Sequence, residues 1–145
     1  MANEYGVFNQ GTVVLEYWAG EIGLQEMLDH EREQSQDTNI KEGSIVIADC
    51  REAVFSLSES EIQSICHSTL SRVGYQQKKV AIVINPHTWD IANNYSGYSW
   101  GSGNDVLCFH SHQAACAWLE LDSDNVQKRL MNLKQVCLSQ ESFKE

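Results

Sequence analysis

Val80-Ala81-Ile82-Val83-Ile84 is an unbroken apolar run, and two shorter runs accompany it, at Ile45 to Ala48 and at Val106 to Phe109. In each run the apolar residues are continuous and do not alternate with polar ones. This pattern is typical of strands buried on both faces, and such strands belong to parallel sheets that are covered by helices. The three runs therefore predict a buried, mostly parallel sheet.

Helical periodicity fills the segments between these runs. The clearest helix begins at an S-x-x-E capping box, Ser58 and Glu61, and ends at Gly74. Its apolar face carries Ile62, Ile65, Cys66, Thr69, Leu70 and Val73. Further helices are predicted for Gly23 to Gln34, for a short segment after Pro86, for Ser111 to Leu119, and for a segment with Val126, Leu130, Leu133 and Cys137 on one face.

The start of the chain has a different pattern. Glu4 to Asn9 and Thr12 to Trp18 are β-prone segments joined at Asn9-Gln10-Gly11, which predicts a hairpin. The element order is then β, β, α, β, α, β, α, β, α, α. This alternation predicts the α/β class, with helices packed on a mostly parallel sheet of four or five strands. A length of 145 residues fits one domain.

Composition narrows the classes of function. Ten Lys and Arg face twenty Asp and Glu, so the net charge is -10, which argues against nucleic acid and anionic membrane surfaces as partners. No apolar run is long enough to span a membrane. Met1 to Gln10 has no basic residue, so we expect no secretory signal and a cytoplasmic location. The five cysteines contain no C-x-x-C pair, so we expect free buried thiols rather than a disulfide or zinc framework.

Three short motifs resemble a known family. Asp49 to Phe55 resembles a D-x-R-x-A-x-F signature after a strand, and Lys79 to Val83 resembles an R/K-x-A-I-V strand. Phe109 to Leu119 resembles a strand end followed by a helix that closes A-x-A-W-L. In order and spacing these motifs resemble the SpoIIAA-like branch of the STAS fold, which comprises stand-alone bacterial domains related in fold to anti-sigma-factor antagonists and to Sec14-type lipid carriers.

The resemblance covers about Thr12 to Leu121. It implies a single STAS-like domain over residues 1–145. Residues 122–145 lie beyond the resemblance, and we expect them to form a C-terminal helix and tail. The resemblance also implies a SpoIIAA-like sandwich with an N-terminal hairpin, and a regulatory role without catalysis.

The family's phosphorylated serine has a partial counterpart here. Anti-sigma antagonists carry D-S-[ST]-G, whereas this chain has Phe55 to Ser60, without the Asp and the Gly. Ser58 lies at the corresponding helix start and is therefore the candidate for phosphorylation, although Glu59 and Glu61 would repel a phosphate. A plain helix N-cap is the other interpretation of Ser58. An arginine that related domains carry after the next strand is absent from Thr88 to Tyr95, so no anion site is carried over.

Polar residues follow each of the three predicted central strands. Ligands collect outside the carboxyl ends of strands in parallel sheets, so these residues would share one edge. The predicted rim consists of Asp49, Arg51, Asn85, His87, Trp89 and His110. It would contact a ligand or a partner, or else Asp49 and Arg51 would pair with each other and with loop backbone.

Other interpretations of these residues are weaker. His110 and His112 would be a metal pair only with a third ligand, and Ser111 between them also suits a helix N-cap. Gly101 to Gly103 precedes a strand and so does not fit a phosphate loop. We therefore predict no metal and no cofactor. Tyr95, Tyr98 and Trp100 would form a contact surface, a lid, or packing against a helix.

Three functions remain open. The first is a regulatory module that binds another protein through the rim and the helix starting at Ser58. The second is a carrier of a small apolar or amphipathic ligand, which needs a concave apolar pocket of about 300 Å³ or more. The third is an enzyme that uses Asp49, Cys50 and His87. The acidic residues of 26–37 form a solvated face that would favour a basic partner, and a homodimer is compatible with all three functions.

Overall fold

The computed structural model describes residues 3–70, 79–100 and 105–143, without the side chains of 68–70, 95–100 and 140–143. The strands are β1 (Asn3–Phe8), β2 (Val13–Ile22), β3 (Ile45–Phe55), β4 (Lys79–Val83) and β5 (Asp105–Phe109). The helices are α1 (Leu24–Ser35), α2 (Glu59–Leu70), α3 (Trp89–Trp100), α4 (His112–Leu119) and α5 (Ser123–Phe143). The predicted α/β class and the predicted order of elements are confirmed.

The sheet has the order β1-β2-β3-β4-β5. Strand β1 pairs antiparallel with β2, and every other neighbouring pair is parallel. The hairpin and the mostly parallel sheet are thus both present. Among the described residues, no helix is long and apolar enough to span a membrane.

Helices cover both faces of the sheet, and the apolar side chains divide between them. On the face that we call the α5 face, Leu15, Ile47 and Ala81 pack under α4 and α5, as part of one cluster with Ala115, Leu119, Val126, Leu130, Leu133 and Cys137. On the opposite face, which we call the α1 face, Trp18, Ile22 and Ala48 pack with Met27 of α1. Strands buried on both faces explain the continuous apolar runs.

Strand β3 is longer than the sequence predicts. We expected it to end at Ala48, with Asp49 and Arg51 in a following loop, but it runs on to Phe55 beside an equally extended β2. The register between the two strands shifts at this point, since Tyr17 pairs with Asp49 but Ala19 pairs with Glu52. The extra residue in β3 is a β-bulge. Polar residues predict a strand end, but here the strand continues because their side chains find partners within the fold.

The hairpin turn depends on positive φ angles. Asn9, Gln10 and Gly11 have φ values of 52°, 60° and 91°. The amide of Lys41 donates to the Gly11 carbonyl at 2.9 Å, which ties the turn to the segment before β3. A Cβ on Gly11 would lie 2.4 Å from the carbonyl oxygen of Asn39. Only glycine fits this position.

A buried polar network links the first two strands to α1. The carboxylate of Glu16 accepts hydrogen bonds from Trp18 Nε1 at 3.0 Å, from His30 Nε2 at 3.1 Å and from Gln34 Nε2 at 2.7 Å. The other ring nitrogen of His30 lies 3.2 Å from Asn3 Oδ1. Because both neighbours of the ring are oxygen acceptors, the geometry suits a protonated, positively charged His30.

The ionisation of this network follows from opposing effects. Burial by itself would lower the pKa of His30, but the Glu16 carboxylate raises it and gives a net increase. Burial by itself would raise the pKa of Glu16, but His30, Trp18 and Gln34 lower it. Each partner therefore holds the other in its charged form, in a site where the two side chains are 3% and 8% exposed.

Part of the predicted α2 face is described. Ile62, Ile65 and Cys66 are buried as predicted. The side chains of Thr69 and Leu70, and all of Val73 and Gly74, lie outside the described residues, as do Gly101 to Gly103 and the side chains of Tyr95, Tyr98 and Trp100.

The hairpin turn can be tested with a pair of glycine variants. We expect Gly11→Ala to lower the free energy of unfolding by about 3 kcal/mol, since it adds a clash to an unfavourable φ. Gly20→Ala is the matched control, because Gly20 has a φ of 76° but a Cβ added there would meet no heavy atom within 4 Å, and it should cost about 1 kcal/mol. Urea denaturation measures both. Equal losses for the two variants would contradict the close approach to Asn39.

The Glu16–His30 pair predicts a pH dependence of stability. The pKa of His30 is raised from 6.5, so its contribution is full below pH 6.5 and is lost as the pH rises through the pKa of the folded state. The pKa of Glu16 is lowered from 4.5, so its contribution is full above pH 4.5 and is lost as the pH falls through the folded-state pKa. Stabilisation by the pair is therefore greatest between these two values.

The measurement compares wild type with the double variant Glu16→Gln, His30→Gln by chemical denaturation, from below pH 4.5 to above pH 6.5. Because the other titrating groups are shared, the difference in unfolding free energy isolates the pair. We expect this difference to peak in the window between the two ordinary pKa values and to fall on either side. A difference that is flat with pH would show that the pair is not ionised in the folded protein.

Candidate functional site

The predicted rim lies at one edge of the sheet. Asp49 is in register with Val83, the last residue of β4, and Val83 is in register with Phe109, the last residue of β5. The segments that follow β4 and β5 therefore start beside the point where β3 continues past its neighbours. The structure brings Asp49, Arg51 and Asn85 together here, and places Trp89 against His110.

Asn85 anchors the segment after β4. Its side-chain oxygen accepts hydrogen bonds from the amides of His87 at 2.8 Å and of Thr88 at 3.2 Å, which caps the 3-10 turn Pro86–Thr88 that leads into α3. Its side-chain nitrogen donates to the carbonyl of Arg51 at 2.8 Å. Asn85 thus fixes the start of α3 to the protruding part of β3.

Trp89 and His110 form a stacked pair on this rim. Their ring centroids are 5.1 Å apart and the ring planes differ by 15°. Trp89 is 38% exposed, and His110 and the neighbouring His87 are exposed as well. The pair presents a flat aromatic surface to solvent, held by the cap at Asn85.

Asp49 and Arg51 pair with each other. Arg51 donates from Nε to Asp49 Oδ1 and from Nη2 to Oδ2, each at 2.9 Å, in a two-pronged contact. Asp49 is buried, whereas the Arg51 side chain is 41% exposed. The hydrogen bond to Asp49 raises the pKa of the Arg51 guanidinium despite its partial burial. This is the arrangement that the alternative interpretation of the two residues expected.

A second ion pair lies beside the first, on the α5 face. Glu52 accepts hydrogen bonds from Tyr17 Oη at 2.5 Å and from Lys134 Nζ at 2.6 Å. The hydrogen bonds from Lys134 and Tyr17 lower the pKa of Glu52, while burial and Glu52 raise the pKa of the Tyr17 hydroxyl. Sequence reasoning missed Tyr17, Glu52 and Lys134, because the bulge that turns Glu52 towards α5 leaves no pattern in the sequence.

The two ion pairs border a pocket of about 120 Å³, which we call the α5 pocket. Seven of the side chains that line it are polar: Tyr17, Asp49, Arg51, Glu52, His112, Gln127 and Lys134. The pocket lies between the protruding end of β3 and the first half of α5.

His110 and His112 serve different parts of the molecule. His110 stacks on Trp89 at the exposed rim, whereas His112 is buried and lines the α5 pocket. Between them Ser111 accepts a hydrogen bond from the Ala114 amide at 3.2 Å and caps α4. Burial and then Arg51 lower the pKa of His112, against a smaller opposing effect of Asp49 and Asp124. Within the described residues, no cluster of three or more His, Cys, Asp or Glu side chains suits a metal ion.

The α1 face contains a separate apolar cavity. It lies between the sheet and the helices α1, α2 and α3, and has a volume of about 90 Å³. Cys50 points into this face and is 3% exposed. Burial raises the pKa of its thiol well above the ordinary value, so the nucleophilic thiolate is disfavoured. Asp49 and Cys50 face opposite sides of the sheet, so the predicted Asp49, Cys50 and His87 group is not assembled.

Ser58 acts as a helix cap. Its hydroxyl accepts a hydrogen bond from the Glu61 amide at 3.2 Å, and its own amide donates to Glu61 Oε1 at 2.9 Å. This confirms the predicted capping box. Ser58 is exposed, and its phosphorylation stays a prediction.

The acidic residues of α1 and the segment after it have local partners. Glu26 accepts a hydrogen bond from the Gly23 amide at 2.9 Å, and Asp29 pairs with Arg32 at 3.2 Å. Asp37 accepts a hydrogen bond from Tyr5 Oη at 2.8 Å. Glu26 and Asp29 are exposed and Asp37 is half-buried, so part of the acidic cluster supports the fold.

Comparison with known proteins gives a fold and no function. No family model matches this chain, and no curated protein matches it. Among solved structures it is similar to an uncharacterized protein of the DUF3478 family with a SpoIIAA-like fold from Shewanella loihica PV-4. The two share 15% identity with a TM-score of 0.56 over 81% of this chain and 94% of the other. The chain therefore has a SpoIIAA-like fold, as the sequence motifs implied.

The anchoring role of Asn85 can be tested by two substitutions. Asn85→Ala removes both the cap and the donation to Arg51, and should lower the free energy of unfolding by about 2 kcal/mol. Asn85→Asp keeps the cap oxygen and loses only the donor, so it should lower it by about 1 kcal/mol. Urea denaturation measures both. If both variants were as stable as wild type, the hydrogen bonds of Asn85 that link α3 to β3 would not contribute to stability.

Proposed function

We propose that this chain is a non-catalytic regulatory module of STAS type that acts by binding another protein. The recognition surface is the rim at the carboxyl ends of β4 and β5, centred on the stacked side chains of Trp89 and His110. The observation that carries the proposal is this exposed aromatic pair beside the turn that Asn85 caps.

The chemistry of the pair suits a protein interface. Tryptophan is among the residues most enriched at the energetic centres of interfaces, because it contributes a large rigid area at little entropic cost. Here the indole is stacked at 5.1 Å on an exposed imidazole and follows a turn capped by Asn85. Val54, which is 59% exposed, presents an apolar side chain on the protruding end of β3. A partner would find these groups already in place.

The two alternatives have less support. The apolar cavity of about 90 Å³ is smaller than the about 300 Å³ that small-molecule pockets have, which weakens the carrier. The enzyme requires a reactive Cys50, and this thiol is buried and protonated on the face opposite Asp49. The net charge of -10 favours a partner with a basic contact surface.

The test is site-specific photocrosslinking in the native host. A photoreactive phenylalanine analogue replaces the exposed His87, and the adduct is sized and identified by mass spectrometry. We expect one discrete protein adduct, whose yield falls about tenfold or more when Trp89→Ala is added. Val136→Ala is the matched control, since Val136 is an apolar side chain of α5 with 46% exposure, and should leave the adduct unchanged.

The same experiment distinguishes the kinds of partner. An adduct of twice the chain mass would identify a second copy of this protein as the partner. The absence of any adduct, or an adduct that persists at full yield in the Trp89→Ala background, would refute the rim as the recognition surface.

A further inference from the structure

We infer that the α5 pocket binds a small zwitterion, of the kind represented by a free α-amino acid with a short side chain. This inference goes beyond the proposed protein interaction, because the pocket lies on the α5 face and contains neither Trp89 nor His110, although it includes Asp49 and Arg51 of the predicted rim. It rests on the balance of charge in the pocket, on the donors and acceptors that the ion pairs leave unused, and on the Nδ1 atom of His112.

The charges that line the pocket are balanced. Asp49 and Glu52 supply two carboxylates, and Arg51 and Lys134 supply two cations, each already paired at 2.9 Å and 2.6 Å. A lone anion or cation would add an uncompensated charge beside the buried Asp49 and His112, which is unfavourable. A zwitterion adds no net charge, and each of its two charged ends meets a group of opposite sign.

The ion pairs leave hydrogen-bonding groups for both ends of such a ligand. Among the described residues, Lys134 Nζ donates to Glu52 alone, and an ammonium has three donors. Arg51 directs Nε and Nη2 at Asp49, which leaves the other N–H groups of its guanidinium. These donors suit a carboxylate. The second lone pairs of the Asp49 and Glu52 oxygens suit an ammonium.

His112 supplies an independent sign of a missing partner. The residue is 5% exposed and lines the pocket, and within the described part of the chain its Nδ1 has no hydrogen-bond partner. Buried ring nitrogens in folded proteins are nearly always paired, so an unpaired one calls for an explanation. A bound carboxylate would accept its N–H, or a bound ammonium would donate to the bare nitrogen.

The size of the pocket limits the ligand. A volume of about 120 Å³ is well below the about 300 Å³ of drug-sized sites. It suits the backbone atoms of glycine, alanine or serine. Met131 lines the mouth and is 54% exposed, so a longer side chain would have to extend past it into solvent.

The test is a titration of the ¹⁵N-labelled full chain, followed by two-dimensional NMR. The probes are glycine, L-alanine and L-serine, with acetate and methylammonium as single-charge controls at matched ionic strength. We expect saturable shifts at residues around the pocket with a Kd of about 1 mM or below for at least one amino acid, and binding about tenfold weaker for either control ion. The ¹⁵N signal of His112 Nδ1 should move on saturation.

Two variants of α5 make the test specific. Lys134→Met removes a donor from the pocket and should weaken amino-acid binding about tenfold. Arg129→Gln is the matched control, because Arg129 contacts Asn125 and the Phe8 ring outside the pocket and should bind as wild type does. Trp89→Ala should also bind as wild type, so this result is independent of the proposed interaction surface.

Several outcomes would overturn the inference. These are the absence of saturable binding by any of the three amino acids up to about 50 mM, acetate binding as tightly as glycine, and full binding by Lys134→Met. If the ¹⁵N signal of His112 Nδ1 did not move at saturation, His112 would not be part of the binding site.

Discussion

The parallel pairing of β2 with β3 is the constraint on which the rest of the molecule depends. Up to Cys50, the odd-numbered residues of β3 face α5 and the even-numbered ones face α1. After the bulge, Ala53 and Phe55 face α1 and Glu52 faces α5. If β3 continued this alternation with no bulge, Glu52 would lie in the apolar layer beside Trp18, because a shift of one residue exchanges the faces of a strand. The bulge therefore serves the core and the polar pocket together.

The secondary structure was largely readable from the sequence, because it follows from short-range patterns. Continuous apolar runs and helical periodicity report burial directly, so all the elements appear in the predicted order. The end of β3 could not be predicted from the sequence. Asp49, Arg51 and Glu52 look like a loop to any local rule, yet Asp49 and Arg51 pair with each other within β3, and Glu52 has its partners on β2 and α5. Glu16 shows the same limit, because its partner His30 lies on another element.

The candidate site could be predicted in part, because the ends of β4 and β5 also follow from short-range patterns. Strand ends in a parallel sheet meet at one edge, and this rule placed Asp49, Arg51 and Asn85 together from the sequence alone. The division of that edge into an aromatic rim and a polar pocket depends on side-chain direction. His110 lies on the aromatic rim and His112 lies in the polar pocket, because α4 begins between these two residues. A spacing rule treats them as a pair, whereas the helix cap at Ser111 separates them.

The protruding end of β3 has a consequence for solubility. Among the described residues, no strand pairs with β3 on the β4 side beyond Asp49. An open strand edge is a template for pairing with other chains. Asn85 covers part of this edge, since its amide donates to the carbonyl of Arg51 at 2.8 Å and lies 3.5 Å from that of Ala53. A single side chain thus occupies two of the carbonyl groups on this edge. Together with the charges of Arg51 and Glu52, it makes pairing of the edge with another chain less favourable.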